Sequence, residues 1–387
     1  MSDSPFRAGF GKTPPVLAGR EELLHGFETA IEAGQWGQER ATLITGFRGV
    51  GKTVAVNALE DIARRRGWAV ISETATPGFM QRLVGTHLPR LLNDLVPSGG
   101  PRITNVTTSL GGFSLEYTDG RTIIETFRSM AVQICEVLDS RGAGLLVTLD
   151  EISEHSGEDM RLFAADFQHL IRADMEVAFV GAGLRTGISA LLEDRSLTFL
   201  RRSAPAVLDL LSYEEAAHAL ADPIRGAGRV IDDDDLAYAT SASQGYPFLV
   251  QLIGDLAWKV TPESSHIDRD AVASAYVKAR RSMGAYILEP SLADLSNIDK
   301  TVLAAMAFDD DLSKIADIRQ RLGIDSQYMN VYRQRLLDAG VVFSPGYGRL
   351  GIAIPYLREY LREHVVADAA SRTFERREDF PPPPPLP

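Results

Sequence analysis

The stretch Gly46-Phe47-Arg48-Gly49-Val50-Gly51-Lys52-Thr53 satisfies the pattern G-x-x-x-x-G-K-[ST] at every constrained position. Each residue type has a use in phosphate chemistry. Glycines let consecutive main-chain N–H groups converge on phosphate oxygens, and a following helix N-terminus adds positive potential. Lys52 neutralises charge on the β- and γ-phosphates, and Thr53 offers its hydroxyl to Mg²⁺. The expected ligands are therefore ATP and Mg²⁺. Only six of the 40 basic residues are lysines, so composition alone would seldom place one here. Gly11-Lys12-Thr13 repeats the end of the motif, but Phe6 stands where its first glycine belongs and two prolines follow. That stretch reads as part of an N-terminal arm.

A second group of residues completes the chemistry. Leu145-Leu146-Val147-Thr148-Leu149 is an uninterrupted apolar run ending in Asp150-Glu151. A buried strand of this kind delivers its last residues to the carboxyl edge of a parallel sheet, where open α/β folds bind ligands. Asp150 is the candidate Mg²⁺ ligand beside Thr53. Glu151 is the candidate general base that polarises an attacking water. Many strands end in an acid, but one roughly 95 residues beyond a complete phosphate loop is specific.

The elements needed to hold these groups are visible around them. Helical spacing covers Glu21–Ala33, Ala41–Thr45 is a short buried strand, and Lys52–Arg66 is the helix after the loop. Trp68–Ser72, Leu145–Leu149, Val177–Val180 and Ala206–Leu210 read as further strands, with helices at 121–140 and 159–173. Residues 97–120, rich in Gly, Ser and Thr, read as an inserted β-hairpin. Alternating strands and helices imply a parallel sheet covered on both faces. After Ser212 the pattern becomes helical at 213–225, 233–241, 247–259 and 268–288. Helices at 295–308, 312–322 and 326–339, followed by a strand–turn–strand, have the plan of a winged helix. The fold class is thus α/β: a parallel-sheet P-loop NTPase domain, a small helical lid and a C-terminal winged helix. The divisions are an arm over 1–15, the ATPase domain over 16–211, the lid over 212–291, the winged helix over 292–365 and a tail over 366–387. The tail contains Pro381–Pro385 and reads as disordered or polyproline II.

Composition bounds the role. With 387 residues, 45% hydrophobic and 24% charged, the chain has the balance of a multi-domain globular protein. It has no apolar run of membrane-spanning length. Met1–Phe10 lacks an apolar signal core, so a cytoplasmic location is expected. A single cysteine, Cys135, excludes a disulfide framework within the chain. A net charge of −12 disfavours a protein that wraps nucleic acid over its whole surface.

With both motifs placed, the chain resembles the AAA+/STAND group of P-loop ATPases, in particular the initiator-type, origin-recognition-like ATPases and their prokaryotic relatives. The resemblance runs over roughly 16–362. It includes Leu17-Ala18-Gly19-Arg20-Glu21 before a helix, Ser212-Tyr213-Glu214-Glu215 at the start of the lid, and Gly245-Tyr246-Pro247. It implies that Val16 and Arg20 touch adenine, that Gly46 through Val54 hold the phosphates, and that Tyr246 and Pro247 approach the nucleotide. It implies ATP hydrolysis, expected to be slow because the strand 177–180 departs from the family pattern. It also implies an arginine reaching the γ-phosphate of a neighbouring subunit in a homo-oligomer. Arg201 and Arg202 are the candidates, with a solvated surface pair as the alternative. Two departures stand out. The strand 177–180 runs into Gly181-Ala182-Gly183, with Thr186 the nearest hydroxyl, where a polar water-orienting residue is expected. The lid lacks an arginine near Gly245, leaving Arg225 and Arg229 as substitutes.

Two roles for the nucleotide compete. In one, the winged helix binds DNA through Tyr328, Asn330, Arg333, Arg335 and Arg349; three arginines against one aspartate over 326–350 give a net of about +2. In the other, it binds protein partners, the lid moves with nucleotide state, and the proline tail is a ligand for aromatic-lined grooves.

Overall fold

The computed structural model describes residues 3–9, 11–95, 100–109, 112–262, 264–293 and 295–365. The chain divides into two compact units. One comprises Arg20–Gly46 and Lys52–Leu208. The other comprises the described parts of Met1–Gly19, Phe47–Gly51 and Asp209–Pro387.

The first unit runs α1 (Glu21–Ala33), β1 (Ala41–Gly46), α2 (Lys52–Arg65), β2 (Ala69–Thr74), α3 (Phe79–Arg82) and α4 (Leu88–Leu95). It continues through β3 (Ile103–Ser109), β4 (Gly112–Tyr117), β5 (Thr122–Glu125), α5 (Phe127–Asp139), β6 (Leu145–Ile152) and α6 (Gly157–Arg172). β7 (Val177–Gly183), α7 (Arg185–Glu193) and β8 (Ala204–Leu208) complete it. The main sheet has the order β2-β6-β7-β1-β8, parallel throughout. β7 is buried at every position, and β6 is buried from Leu145 to Leu149, which is why neither shows alternation in sequence. The edge strand β8 does alternate in exposure and carries Pro205, whose missing N–H suits an edge. Phe79, Phe127, Phe163, Phe167 and Phe179 are fully buried in one aromatic core, with ring centroids 5.0–6.3 Å apart along the Phe163 contacts.

Two sequence expectations change here. Thr122–Glu125, read as the start of a helix, is the third strand of an antiparallel sheet β3-β4-β5. The β-branched run Thr-Ile-Ile suits a pleated surface, and the helix begins only after Thr126, which forms a capping box with Ser129. The insert is therefore a three-stranded sheet; parts of its expected hairpin, residues 97–99 and 110–111, lie outside the described residues. The stretch 79–95, not assigned from sequence, is α3, a π-helical turn at Leu83–His87, and α4.

In the second unit, α8 (Tyr213–Gly226) starts at a capping box between Ser212 and Glu215. β9 (Val230–Ile231), α9 (Asp233–Ser243), α10 (Pro247–Val260), β10 (His266–Ile267), α11 (Arg269–Met283) and α12 (Glu289–Ala293) follow. The expected single helix over 268–288 gives way to a π-helical turn at Gly284–Leu288. Then come α13 (Asn297–Ala307), β11 (Ser313–Lys314), α14 (Ile315–Leu322), α15 (Ser326–Asp338), β12 (Val342–Gly346), β13 (Arg349–Ile352) and α16 (Leu357–Tyr360). β11, β13 and β12 form a small antiparallel sheet in that order. One apolar core runs through all these helices. The N-terminal arm joins it. Phe6 is 3% exposed and its ring occupies the space beside Gly254, while Arg7 N–H donates to Gln251 Oε1 at 3.0 Å. Burying such a ring contributes roughly 2–3 kcal/mol. The tail expected to be polyproline lies outside the described residues. No helix among the described residues is long and apolar enough to cross a membrane.

Candidate nucleotide site

β1 ends at Gly46 and α2 begins at Lys52, so the motif sits where a central parallel strand turns into a helix. Gly49 and Gly51 have φ of 74° and 93°, a region that side chains other than glycine's rarely adopt. Val50 between them is 1% exposed and anchors the loop. The Lys52 ammonium donates to the Gly46 carbonyl at 3.1 Å, holding the side chain back across the loop. Val54 follows in the first turn of α2.

The acidic strand end has a feature the sequence did not reveal. Along β6 and β7, Leu149 lies opposite Gly181 and Ile152 lies opposite Gly183. Three steps on one strand match two on the other, so Asp150 and Glu151 share a β-bulge. Bulges re-aim side chains at sheet ends. Glu151 has φ 58° and an exposed side chain, while its own N–H donates to Asp150 Oδ1 at 2.8 Å. A non-glycine residue in this conformation is a point of strain of the kind that collects at functional sites. Thr53 Oγ1 donates to Asp150 Oδ2 at 2.6 Å. The hydroxyl and carboxylate assigned to Mg²⁺ thus meet directly, with both oxygens at the surface.

A buried carboxylate keeps α2 and β6 in register. Glu60 is 4% exposed, accepts from Thr148 Oγ1 at 2.6 Å, and pairs with Arg64 at 2.8 Å. Thr148 is two residues before Asp150, so this contact ties the helix that starts at Lys52 to the strand carrying the acids. Nothing in the sequence pattern singled out Glu60; a glutamate on the apolar face of α2 was the available signal.

β7 explains the missing polar residue. A Cβ at Gly183 would overlap the Ile152 carbonyl, and one at Gly181 would crowd Ile152 Cδ1 and Leu43. The strand continues through both glycines because the bulged β6 lies so close. Thr186 comes one turn later, in α7.

In the other unit, the middle of the loop groups with the helical region that begins at Asp209. Tyr246 is fully buried and its hydroxyl donates to the Arg48 carbonyl at 3.0 Å. Burial raises the Tyr246 phenol well above its ordinary pKa, with the Arg48 charge opposing weakly, so it stays a donor. A side chain at Gly49 would overlap that hydroxyl. Gly245 has φ 68° and lies against the Leu211 main chain, whose N–H donates to the Gly245 carbonyl at 2.8 Å. Pro247 then opens α10 at its first turn. Phe47 packs on Phe343 of β12 with ring centroids 5.8 Å apart.

The remaining candidates separate. Arg20 is 8% exposed at the start of α1, and Val16 is half-buried. Arg201 and Arg202 are both exposed, and Arg201 donates to the Leu192 and Glu193 carbonyls at 2.7 and 3.0 Å, closing the end of α7. Arg229 is not a substitute sensor. It is 7% exposed, lies 3.7 Å over the Trp258 ring, and donates to the carbonyls of Trp258, Thr261 and Pro262. Arg225 is exposed. Of the residues expected to face DNA, Tyr328 is 8% exposed with its ring against Tyr332. Arg335 is committed to the buried Asp299 at 2.8 Å. Tyr328 lies on the buried face of α15, whereas the Arg335 side chain is exposed and reaches Asp299 from the surface. Asn330 and Arg349 are exposed and Arg333 is half-buried.

Comparison with known proteins fits this geometry. Residues 16–180 match the AAA ATPase domain, and residues 285–361 match a domain of unknown function, DUF8462. No curated protein matches the sequence. Among solved structures, the ORC2 protein of Aeropyrum pernix in its ADPNP–ADP complexes is 15% identical with a TM-score of 0.60, covering 94% of this chain and 98% of its own. The Walker-type ATPase PABY2304 of Pyrococcus abyssi is 15% identical with a TM-score of 0.59, covering 94% of this chain and 99% of its own. At such identity these matches establish a shared fold. The expected α/β P-loop NTPase fold and the resemblance to origin-recognition-like AAA+ ATPases are borne out.

Proposed function

We propose that this AAA-type P-loop ATPase is a nucleotide-dependent switch that binds ATP with Mg²⁺ and hydrolyses it slowly. The observation that carries the reading is the bond from Tyr246 to Arg48, because it links the helical region after Asp209 to the main chain of the phosphate loop. The residues fit the ligand. Positive φ at Gly49 and Gly51 gives the loop the backbone freedom that a phosphate-binding turn needs, and Lys52 would supply the charge. Thr53 and Asp150 would hold Mg²⁺, and Val16 and Arg20 would flank the base. Bound Mg²⁺–ATP supplies an electrophilic γ-phosphoryl group. Glu151, on the bulge and open to solvent, would accept a proton from water. A change in the loop would be felt by Tyr246 through Arg48 and by Phe343 through Phe47. Arg202 is the better candidate for a group acting on a second copy, since Arg201 is occupied with α7.

The three helices and small sheet after Ser296 have the plan of a winged helix. The fate of Tyr328 favours a protein-binding role over a DNA-binding one, because it packs in the core, and the exposed Arg335 already spends its charge on the buried Asp299. Titration of random duplex DNA at several salt concentrations tests this. The protein-binding reading expects weak binding that Arg349→Ala leaves unchanged; tight, steeply salt-dependent binding lost in Arg349→Ala would reverse it.

A further inference from the structure

A groove in the sheet unit, away from the phosphate loop, has the features of a peptide-docking surface. Its cavity volume is about 510 Å³, and it runs between the loop after β2, α3, β4, the start of α5 and α6. The floor is apolar: Met80, Val84 and Phe127 are buried beneath it and Phe113 of β4 forms one wall. The rim is unusual. Leu162 on α6 is 56% exposed, and β5, which leads straight into the lining residue Thr126, exposes Ile124 at 58%. β5 pairs only with β4 among the described residues, so its outer edge is open. Open edges are ordinarily guarded by charge or proline, and this one carries two isoleucines.

The charge at the rim selects among occupants. Glu158 and Asp159 line the groove and have no ion-pair partner among the described residues; Asp159 accepts only from the Gly78 N–H at 2.5 Å. Asp166 is neutralised by Arg128 at 2.8 Å. His155 is the one titratable base lining the cavity. Two uncompensated carboxylates over an apolar floor repel a phosphate backbone and attract a cation that carries apolar neighbours. We infer that this groove docks an extended, basic segment of a partner protein, with an aliphatic or aromatic side chain on Met80 and Phe127 and a lysine or arginine at Glu158 and Asp159. The β5 edge supplies main-chain partners for the same segment. This surface is independent of the ATP reading, since none of its residues belongs to the phosphate loop or the acidic bulge.

The test uses the full chain and three short fluorescein-labelled peptides read by anisotropy: alternating Arg/Leu, alternating Lys/Ser and alternating Glu/Leu. The Arg/Leu peptide is expected to bind at least about tenfold more tightly than either of the others. Glu158→Lys and Leu162→Glu, both at exposed positions, are each expected to weaken it about tenfold with unchanged thermal stability. Glu22→Lys, the same charge change on α1, controls for net charge and should leave it unaltered. Equal binding of the Arg/Leu and Lys/Ser peptides would overturn the proposal. So would undiminished binding by the two groove variants, or loss of the same size in Glu22→Lys. A groove variant that changed self-association and left peptide binding intact would also overturn it, assigning the surface to a second copy.

Discussion

The hydroxyl of Tyr246 donates to the main-chain carbonyl of Arg48 at 3.0 Å, and it occupies the place where a side chain at Gly49 would lie. A phenol buried among apolar groups thus makes its hydrogen bond to the phosphate loop. Tyr246→Phe keeps the ring and removes that bond, a loss of about 1 kcal/mol. The expected result is a several-fold weaker affinity for ATP with little change in melting temperature. Gly49→Ala should be worse, because it adds both the overlap with Tyr246 and a φ of 74° that alanine resists, at a cost of about 1–3 kcal/mol. Calorimetric titration of ATP into each variant measures both effects; ATP affinity unchanged in Gly49→Ala would show that the contact is incidental.

The meeting of Thr53 and Asp150 makes a prediction about the metal. Both oxygens lie at the surface and 2.6 Å apart. Thr53→Val and Asp150→Asn should each remove the dependence of ATP binding on Mg²⁺ while leaving binding in excess chelator near the wild-type value. Parallel titrations with Mg²⁺ and with chelator check this. A variant that retained the full Mg²⁺ effect would place the ion elsewhere.

Acid stability depends on a different carboxylate. Burial alone would raise the pKa of Glu73, but hydrogen bonds from Arg82, the Thr74 N–H and His87 outweigh it and hold the group below its ordinary value of about 4.3. A carboxyl whose folded pKa is depressed contributes stability above its unfolded pKa and loses it as pH falls through the folded one. The melting temperature should therefore drop on acidification below about pH 4. In Arg82→Ala the melting temperature should be lower at neutral pH and the further drop in acid smaller. An acid profile identical to wild type would rule out the Glu73 cluster as a contributor.

How much of this was legible in the sequence depends on what each element answers to. The loop could be read because its chemistry fixes residue types at fixed spacing. β6 and β7 could be read because strands buried on both faces show as plain apolar runs. The bulge at Asp150–Glu151 could not, since it depends on how β6 pairs with β7. Tyr246 was placed near the nucleotide by resemblance, but its bond to Arg48, 198 residues away, is a tertiary fact. Thr122–Glu125 was misread because its helical neighbour at Phe127 extends the apolar pattern across the capping residue Thr126. Tyr328 was misassigned because an aromatic residue on a helix does not declare which face it occupies; Arg335 is exposed as expected, but its pairing with Asp299 is a tertiary fact. Arg229 was misread for a similar reason: its guanidinium serves the carbonyls after α10 rather than a ligand.

ATP binding at Gly46–Thr53 and its hydrolysis with Glu151 as the base stand or fall together with the proposed switch. A single-turnover experiment with limiting radiolabelled ATP tests both most directly, run on wild type, Lys52→Ala and Glu151→Gln. Wild type is expected to bind ATP and convert it to ADP. Glu151→Gln should bind with similar affinity and convert it at least about a hundredfold more slowly, and Lys52→Ala should retain none. Conversion at the wild-type rate by Glu151→Gln would remove Glu151 as the base, and undiminished ATP binding by Lys52→Ala would contradict the account as a whole.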